Sequence, residues 1–140
     1  MGRGASAIAP ILGAVYGWGV RVIARGTLNA FVRNRVATGQ RVAVKAQLNS
    51  WYQGVAKASW KNSAELKGQY GTASVLSAER VVFNIKGNDY RLIVTINYDY
   101  EIVRITWLGT HKEYDNVDAR EVGYDKRRYL GSTDSDGGRP

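Results

Sequence analysis

The sequence predicts an α+β fold, an antiparallel β-sheet with two N-terminal helices packed on one face. Three observations point to it. Apolar residues recur at spacings of three and four between residues 27 and 58, the period of an amphipathic helix. Two runs of alternating apolar and polar residues flank Gly87-Asn88, a two-residue hairpin signal. A third such run follows Tyr98-Asp99 and completes a three-stranded meander.

Taken in order, residues 1–19 are an extension rich in Gly and Ala. Its apolar run from Ile8 to Val15 is interrupted by Pro10 and falls short of the roughly 20 apolar residues of a membrane span. No cleavage region marks a secretory signal. The expectation for this stretch is either a frayed terminus or a start placed upstream of the true one near Val20. Residues 21–23 read as a short edge strand. A helix is expected over 27–36, capped by Thr27, with Leu28, Phe31, Val32 and Arg35 at helical spacing. A second helix is expected over 40–58, where Val44, Leu48, Trp51, Tyr52 and Val55 mark the buried face. Arg33, Arg41, Lys45 and Lys57 on the outward sides read as solvated charge rather than RNA contacts.

Residues 63–70 read as a short helix opened by Ser63, and 73–76 as a strand ahead of the meander. Trp51, Trp60 and Trp107 are assigned to the core. Beyond Ala119 the chain turns mixed in charge and then rich in Gly, Ser and Asp. Residues 120–140 are therefore taken as a C-terminal tail that is largely flexible, with 131–140 disordered.

A turn at Gly87-Asn88 sets the register of the first hairpin. Ile85 then faces Tyr90, Asn84 faces Arg91, Phe83 faces Leu92 and Val81 faces Val94, so apolar residues meet apolar ones. A tip at Tyr98-Asp99 would set Val94 against Val103, Leu92 against Ile105 and Tyr90 against Trp107. The opposite face then carries Asn84, Lys86, Arg91, Arg104 and Thr106, with Arg91 and Arg104 roughly 7 to 8 Å apart as diagonal neighbours. Two like charges at that distance call for an anion. The third strand returns toward Gly87-Asn88, so Thr110 and His111 should emerge beside Lys86 and Arg91. Imidazole is the side chain that titrates near neutrality, and neighbouring positive charge favours its neutral, basic form.

Composition narrows the chemistry. At 140 residues the chain is sized for one domain. The absence of cysteine removes disulfides, thiolate metal sites and cysteine nucleophiles, and a single histidine removes a multi-histidine centre. No cofactor and no metal are expected: Asp115 and Asp118 lack the further oxygens a divalent cation would need, and Asp115 reads as a turn cap. The net charge of +8 is uneven, because nine Lys or Arg precede Glu65, the first acidic residue. Such a distribution favours phosphate backbones or an acidic protein as partner.

The stretch from Val82 to Tyr98, followed by Thr110-His111-Lys112-Glu113-Tyr114-Asp115, resembles the HigB toxins of bacterial toxin-antitoxin systems, within the RelE-like superfamily of messenger-RNA-cleaving toxins. Arg21 to Leu28, Trp51-Tyr52 and Ala58 to Asn62 are also similar to that family, so the resemblance covers about residues 20 to 119. It implies a RelE-like, partly mixed sheet and an endoribonuclease, or mRNA interferase, that cuts messenger RNA on the ribosome and inhibits translation. It also implies a cytoplasmic location, no membrane association, and a cognate antitoxin, a helix-turn-helix protein of the HigA type.

RNA cleavage without a metal needs a base for the 2′-hydroxyl, cations for the phosphorane and an acid for the leaving 5′-oxygen. Arg91 is assigned to phosphate stabilisation with Lys86 in support, and His111 to proton transfer. Tyr114 would orient His111 or stack on a base. Which group is base and which is acid stays open, since Lys86 beside two arginines also fits the base. Asn84, Arg104, Lys61 and Lys112 are assigned to RNA binding, with Asn84 holding the Arg91 side chain and Arg104 having an alternative as an ion-pair partner of Asp99 or Glu101. Two rival readings remain: a non-catalytic RNA- or ribosome-binding module, and an inactive toxin remnant that only binds its antitoxin.

Overall fold

The computed structural model describes residues 19–131. The expectations for residues 1–18, and for the tail after Gly131, lie outside the described residues. The chain forms β1 (Arg21–Ile23), α1 (Arg25–Arg35), a 3-10 turn (Thr38–Gln40), α2 (Arg41–Ala56) and α3 (Ser63–Gln69). It continues with β2 (Ser74–Val75), β3 (Arg80–Ile85), β4 (Tyr90–Asn97), β5 (Ile102–Thr110), α4 (His111–Tyr114) and a second 3-10 turn (Lys126–Tyr129). The strands make one five-stranded sheet in the order β1-β5-β4-β3-β2. The β2–β5 pairings are antiparallel, whereas β1 lies parallel to β5, so the sheet is mixed. This is the α+β architecture the periodicities predict. Among the described residues no helix is long and apolar enough to cross a membrane.

The helices cover one face. Phe31, Val44, Leu48 and Val55 meet Val81, Phe83, Leu92 and Val94 in the main core, all of them 2 % exposed or less. Burial of this kind contributes about 1.5 to 3 kcal/mol per large side chain relative to exposure. One helix start differs from expectation. Thr27 does not cap α1, which begins at Arg25 straight out of β1. Its hydroxyl is buried instead and lies 3.3 Å from the Tyr124 hydroxyl. Helix α3 begins at Ser63 as expected, and Asn62 caps it, its Oδ1 accepting the Glu65 N–H at 3.0 Å.

The first hairpin has the predicted register: Ile85 opposite Tyr90, Asn84 opposite Arg91, Phe83 opposite Leu92 and Val81 opposite Val94. The second does not. Its turn spans four residues, 98–101, with Glu101 in the left-handed region at φ 56° and the Asn97 side chain accepting the Tyr100 N–H at 2.9 Å. Val94 therefore faces Ile105, and Ile96 faces Val103. A bulge follows: Ile93 faces Trp107, leaving Thr106 as the extra residue. The bulge exchanges the faces of what comes after it. Leu108 enters the main core, and Trp107 moves to the far side with Val82 and Ile93.

This corrects the expected cationic face in two ways. Arg104 pairs with Thr95, four positions along β4 from Arg91, so the two arginines lie about 13 Å apart along the strand instead of diagonally adjacent. The centre of the far face is also apolar, and residues 114–122 cover it through Tyr114, Val117, Ala119 and Val122. Arg80 fixes that covering segment by donating to the carbonyls of Ala119 (3.0 Å) and Val122 (2.7 Å), and Arg120 donates to the Leu76 carbonyl. Packing continues past Ala119: Tyr129 is 2 % exposed, edge-on to Phe31, and its hydroxyl accepts the Leu108 N–H at 2.9 Å.

Candidate active site

The hairpin turn between β3 and β4 organises three of the candidate groups. Lys86 and Gly87 both adopt left-handed backbone, with φ 54° and 63°, and the Asp89 N–H closes the turn on the Lys86 carbonyl at 3.1 Å. Glycine takes this conformation freely, while a lysine there must be held in it. The Lys86 ammonium pairs with the Asp89 carboxylate at 3.2 Å. Arg91 reaches back onto Asn88, donating from Nη2 to Oδ1 at 2.6 Å and from Nη1 to the carbonyl at 3.1 Å. From the other side, the His111 N–H donates to the Asp89 carbonyl at 2.8 Å. Tyr90 faces Thr110 in the ladder, so β5 does return His111 to this turn.

Helix α4 presents His111 by a local code. In Thr110-His111-Lys112-Glu113 the Thr110 hydroxyl accepts the Glu113 N–H at 3.0 Å and Glu113 accepts the Thr110 N–H at 2.9 Å, a complete capping box. The Glu113 carboxylate also binds Arg35 at 2.7 Å and Arg128 at 3.0 Å. Burial acts to raise this carboxyl, but the Thr110 N–H and the two arginines outweigh it and hold it below its ordinary value. His111 itself is exposed, with Nε2 3.8 Å from the Asp115 carboxylate. It lines an open cleft with Lys112, Gln40, Asn88, Asp89 and Tyr90. Burial, more than its charged neighbours, pushes the Tyr90 phenol up, so it stays protonated at neutral pH.

The remaining sequence-derived candidates divide between this turn and elsewhere. Tyr114 lies under Arg91, whose guanidinium is 5.7 Å from its ring centroid, and packs on Trp107 at 6.2 Å. Asn84 is opposite Arg91 but does not hold it. That task falls to Asn88, which lies three residues before Arg91 at the turn where its carbonyl is free. Lys61 and Arg104 line a separate cleft with Asn97, Tyr98 and Asp99, toward the other end of β4. Among the described residues Arg104 forms no ion pair, with Asp99 and Glu101 or otherwise.

Sequence reasoning missed Asn88, Glu113 and Arg128. A signal existed for Glu113, since Thr-x-x-Glu ahead of a helix is the capping-box pattern. Arg128 had none, because it lies in a segment whose composition reads as tail. Its guanidinium stacks 4.7 Å from the Trp107 ring and donates to the Leu108 carbonyl at 3.1 Å. A Cβ at Gly109, the residue opposite Arg91, would run into both the Trp107 ring and that guanidinium.

No curated protein matches the chain significantly. The family model for the HigB toxin, described as the RelE-like toxic component of a toxin-antitoxin system, matches residues 44–117, more than half of the 140 residues. The match runs from Val44 within α2 through both hairpins and α4, and so contains the turn, Arg91, His111 and Glu113. The chain belongs to the HigB toxin family, as the RelE-like toxic component of a toxin-antitoxin system, with an antitoxin as its partner.

Proposed function

We infer that this toxin is an endoribonuclease that cleaves messenger RNA on the ribosome and so inhibits translation, restrained by an antitoxin of the helix-turn-helix HigA type. The observation that carries the reading is the turn itself. A guanidinium held by Asn88, an ammonium at Lys86 and an imidazole whose backbone is tied to Asp89 share one four-residue scaffold. Guanidinium and ammonium suit the negative charge that builds up on a phosphorane, and an exposed imidazole beside them suits proton transfer.

In this reading the RNA 2′-hydroxyl attacks the adjacent phosphorus while a base removes its proton. The P–O5′ bond breaks as an acid protonates the leaving oxygen, leaving a 2′,3′-cyclic phosphate and a 5′-hydroxyl. Arg91 and Lys86 stabilise the phosphorane, and His111 moves a proton. Tyr90 and Tyr114 supply phenols on either side of the turn. Lys112 meets the backbone of the strand entering the His111 cleft, while Lys61 and Arg104, on their separate cleft, meet RNA further along. The covered centre of the far face leaves the turn end of the sheet for the phosphate that is cut.

Induced expression in a bacterial host tests the reading. Growth arrest with messenger RNA cut at discrete positions is expected from the native chain, and neither from Arg91→Ala or His111→Ala. Arrest with intact messenger RNA would replace the reading with the non-catalytic ribosome-binding module.

A further inference from the structure

On the helix side of the β3 edge lies a cleft of about 330 Å³ that the turn does not share. It opens because β2 pairs only with Val81 and Val82, leaving the edge of β3 uncovered from Phe83 onward. Trp51, Tyr70 and Phe83 supply aromatic wall, with ring centroids 5.4 Å apart for Trp51–Phe83 and 5.1 Å for Tyr70–Phe83. Gln47 and Ser50 supply polar side chains, Asn84 lies at the rim with its side chain on the other face of the strand, and no charged residue lines the cleft. Among the described residues the side chains of Gln47 and Ser50 make no hydrogen bond. Neither does the indole N–H of Trp51, which is buried in a residue only 5 % exposed. A buried donor without an acceptor is costly, so a ligand whose acceptor reaches that N–H recovers energy the fold leaves unused.

These properties describe a ligand that is planar, uncharged and carries both donors and acceptors on its edge. A phosphate does not fit, because nothing here neutralises it. A nucleobase does: amide side chains read base edges, and aromatic walls accept base faces. We propose that this cleft is a nucleobase pocket that gives the toxin its base preference. The proposal deepens the ribonuclease reading and rests on it for the placement of the rest of the nucleotide. Asn84 lies at the rim of the cleft and stands opposite Arg91 in the ladder, so the pocket begins about 5 Å, one strand spacing, from the arginine's backbone. A nucleotide whose phosphate sits on Arg91 passes its base over the β3 edge.

The test is a titration of the isotopically labelled full chain with adenosine, guanosine, cytidine and uridine, followed by nuclear magnetic resonance. Loss of one indole signal in Trp51→Phe assigns the Trp51 N–H. At least one nucleoside should shift that signal together with those of the Gln47 side-chain amide. Gln47→Ala, on an exposed helix surface and harmless to the fold, should weaken that nucleoside roughly fivefold, as expected for one neutral hydrogen bond. Failure of all four nucleosides to move these signals at millimolar concentration would overturn the proposal, as would shifts mapping elsewhere. Nucleosides carry no phosphate, so the outcomes separate. A protein that binds them but cuts no RNA defeats only the ribonuclease reading, and one that cuts RNA with an unmoved Trp51 signal defeats only the pocket.

Discussion

The backbone N–H of His111 donates to the carbonyl oxygen of Asp89 over 2.8 Å, which fastens the first residue of α4 to the last residue of the β3–β4 turn. Through that bond the position of the imidazole depends on the same four residues that position Lys86 and Arg91. Neither side of the site is free to move without the other.

Arg91 is held by Asn88, not by its ladder partner. Asn88→Ala should therefore release the guanidinium and lower RNA cleavage by about 10- to 100-fold, the loss typical of a misplaced transition-state contact. Because Asn88 is exposed, stability should change by less than about 1 kcal/mol. Parallel measurement of kcat/KM and Tm checks this, and Asn84→Ala should cost cleavage less.

Lys86 separates stability from function. Its φ of 54° is left-handed, where an L-residue other than glycine costs about 1 kcal/mol or more. Lys86→Gly relieves that strain, so Tm should hold or rise while cleavage falls by about tenfold. A fall in both would show that the Asp89 ion pair matters more to the turn than its backbone conformation.

Glu113 makes stability depend on pH. Its folded pKa is depressed below the ordinary 4.5, so its contribution is present in full above that value and is lost as pH falls through the folded pKa. The side chain is 35 % exposed, which screens its two ion pairs, and the contribution at neutral pH is on the order of 1 kcal/mol. Glu113→Gln should lower Tm at pH 7 and narrow the gap to the native chain below pH 4. Thermal melts across that range measure both effects.

Tyr129 anchors the C-terminal segment. Tyr129→Phe removes the acceptor of the buried Leu108 N–H and should destabilise by about 1 to 2 kcal/mol, read by denaturant unfolding. Burial raises this phenol, so the difference should not vary with pH across the neutral range.

Local signals were enough for the first hairpin, because a two-residue turn and strict alternation leave one register that matches apolar to apolar. The second hairpin was misread because its tip is centred one residue further on, at Asp99-Tyr100, and a bulge at Thr106 adds a residue, features that nothing in the alternation announces. One consequence was the imagined pairing of Arg91 with Arg104. Another was the face of Trp107, which lies on the far side under Tyr114, Val117, Ala119 and Val122, the last of them in the segment that composition marks as tail. His111 was nonetheless placed beside the turn correctly, since the strand's return is a matter of topology and not of exact register. Asn88 was missed because a side chain reaching back three residues is tertiary detail that spacing does not encode.

The most direct measurement incubates purified protein with an end-labelled messenger RNA in EDTA, with and without translating ribosomes, beside Arg91→Ala and His111→Ala. The account predicts cleavage by the native chain with ribosomes present, leaving 2′,3′-cyclic phosphate ends, and its loss in both variants. Intact RNA in every tube, or cleavage that both variants retain, would contradict it.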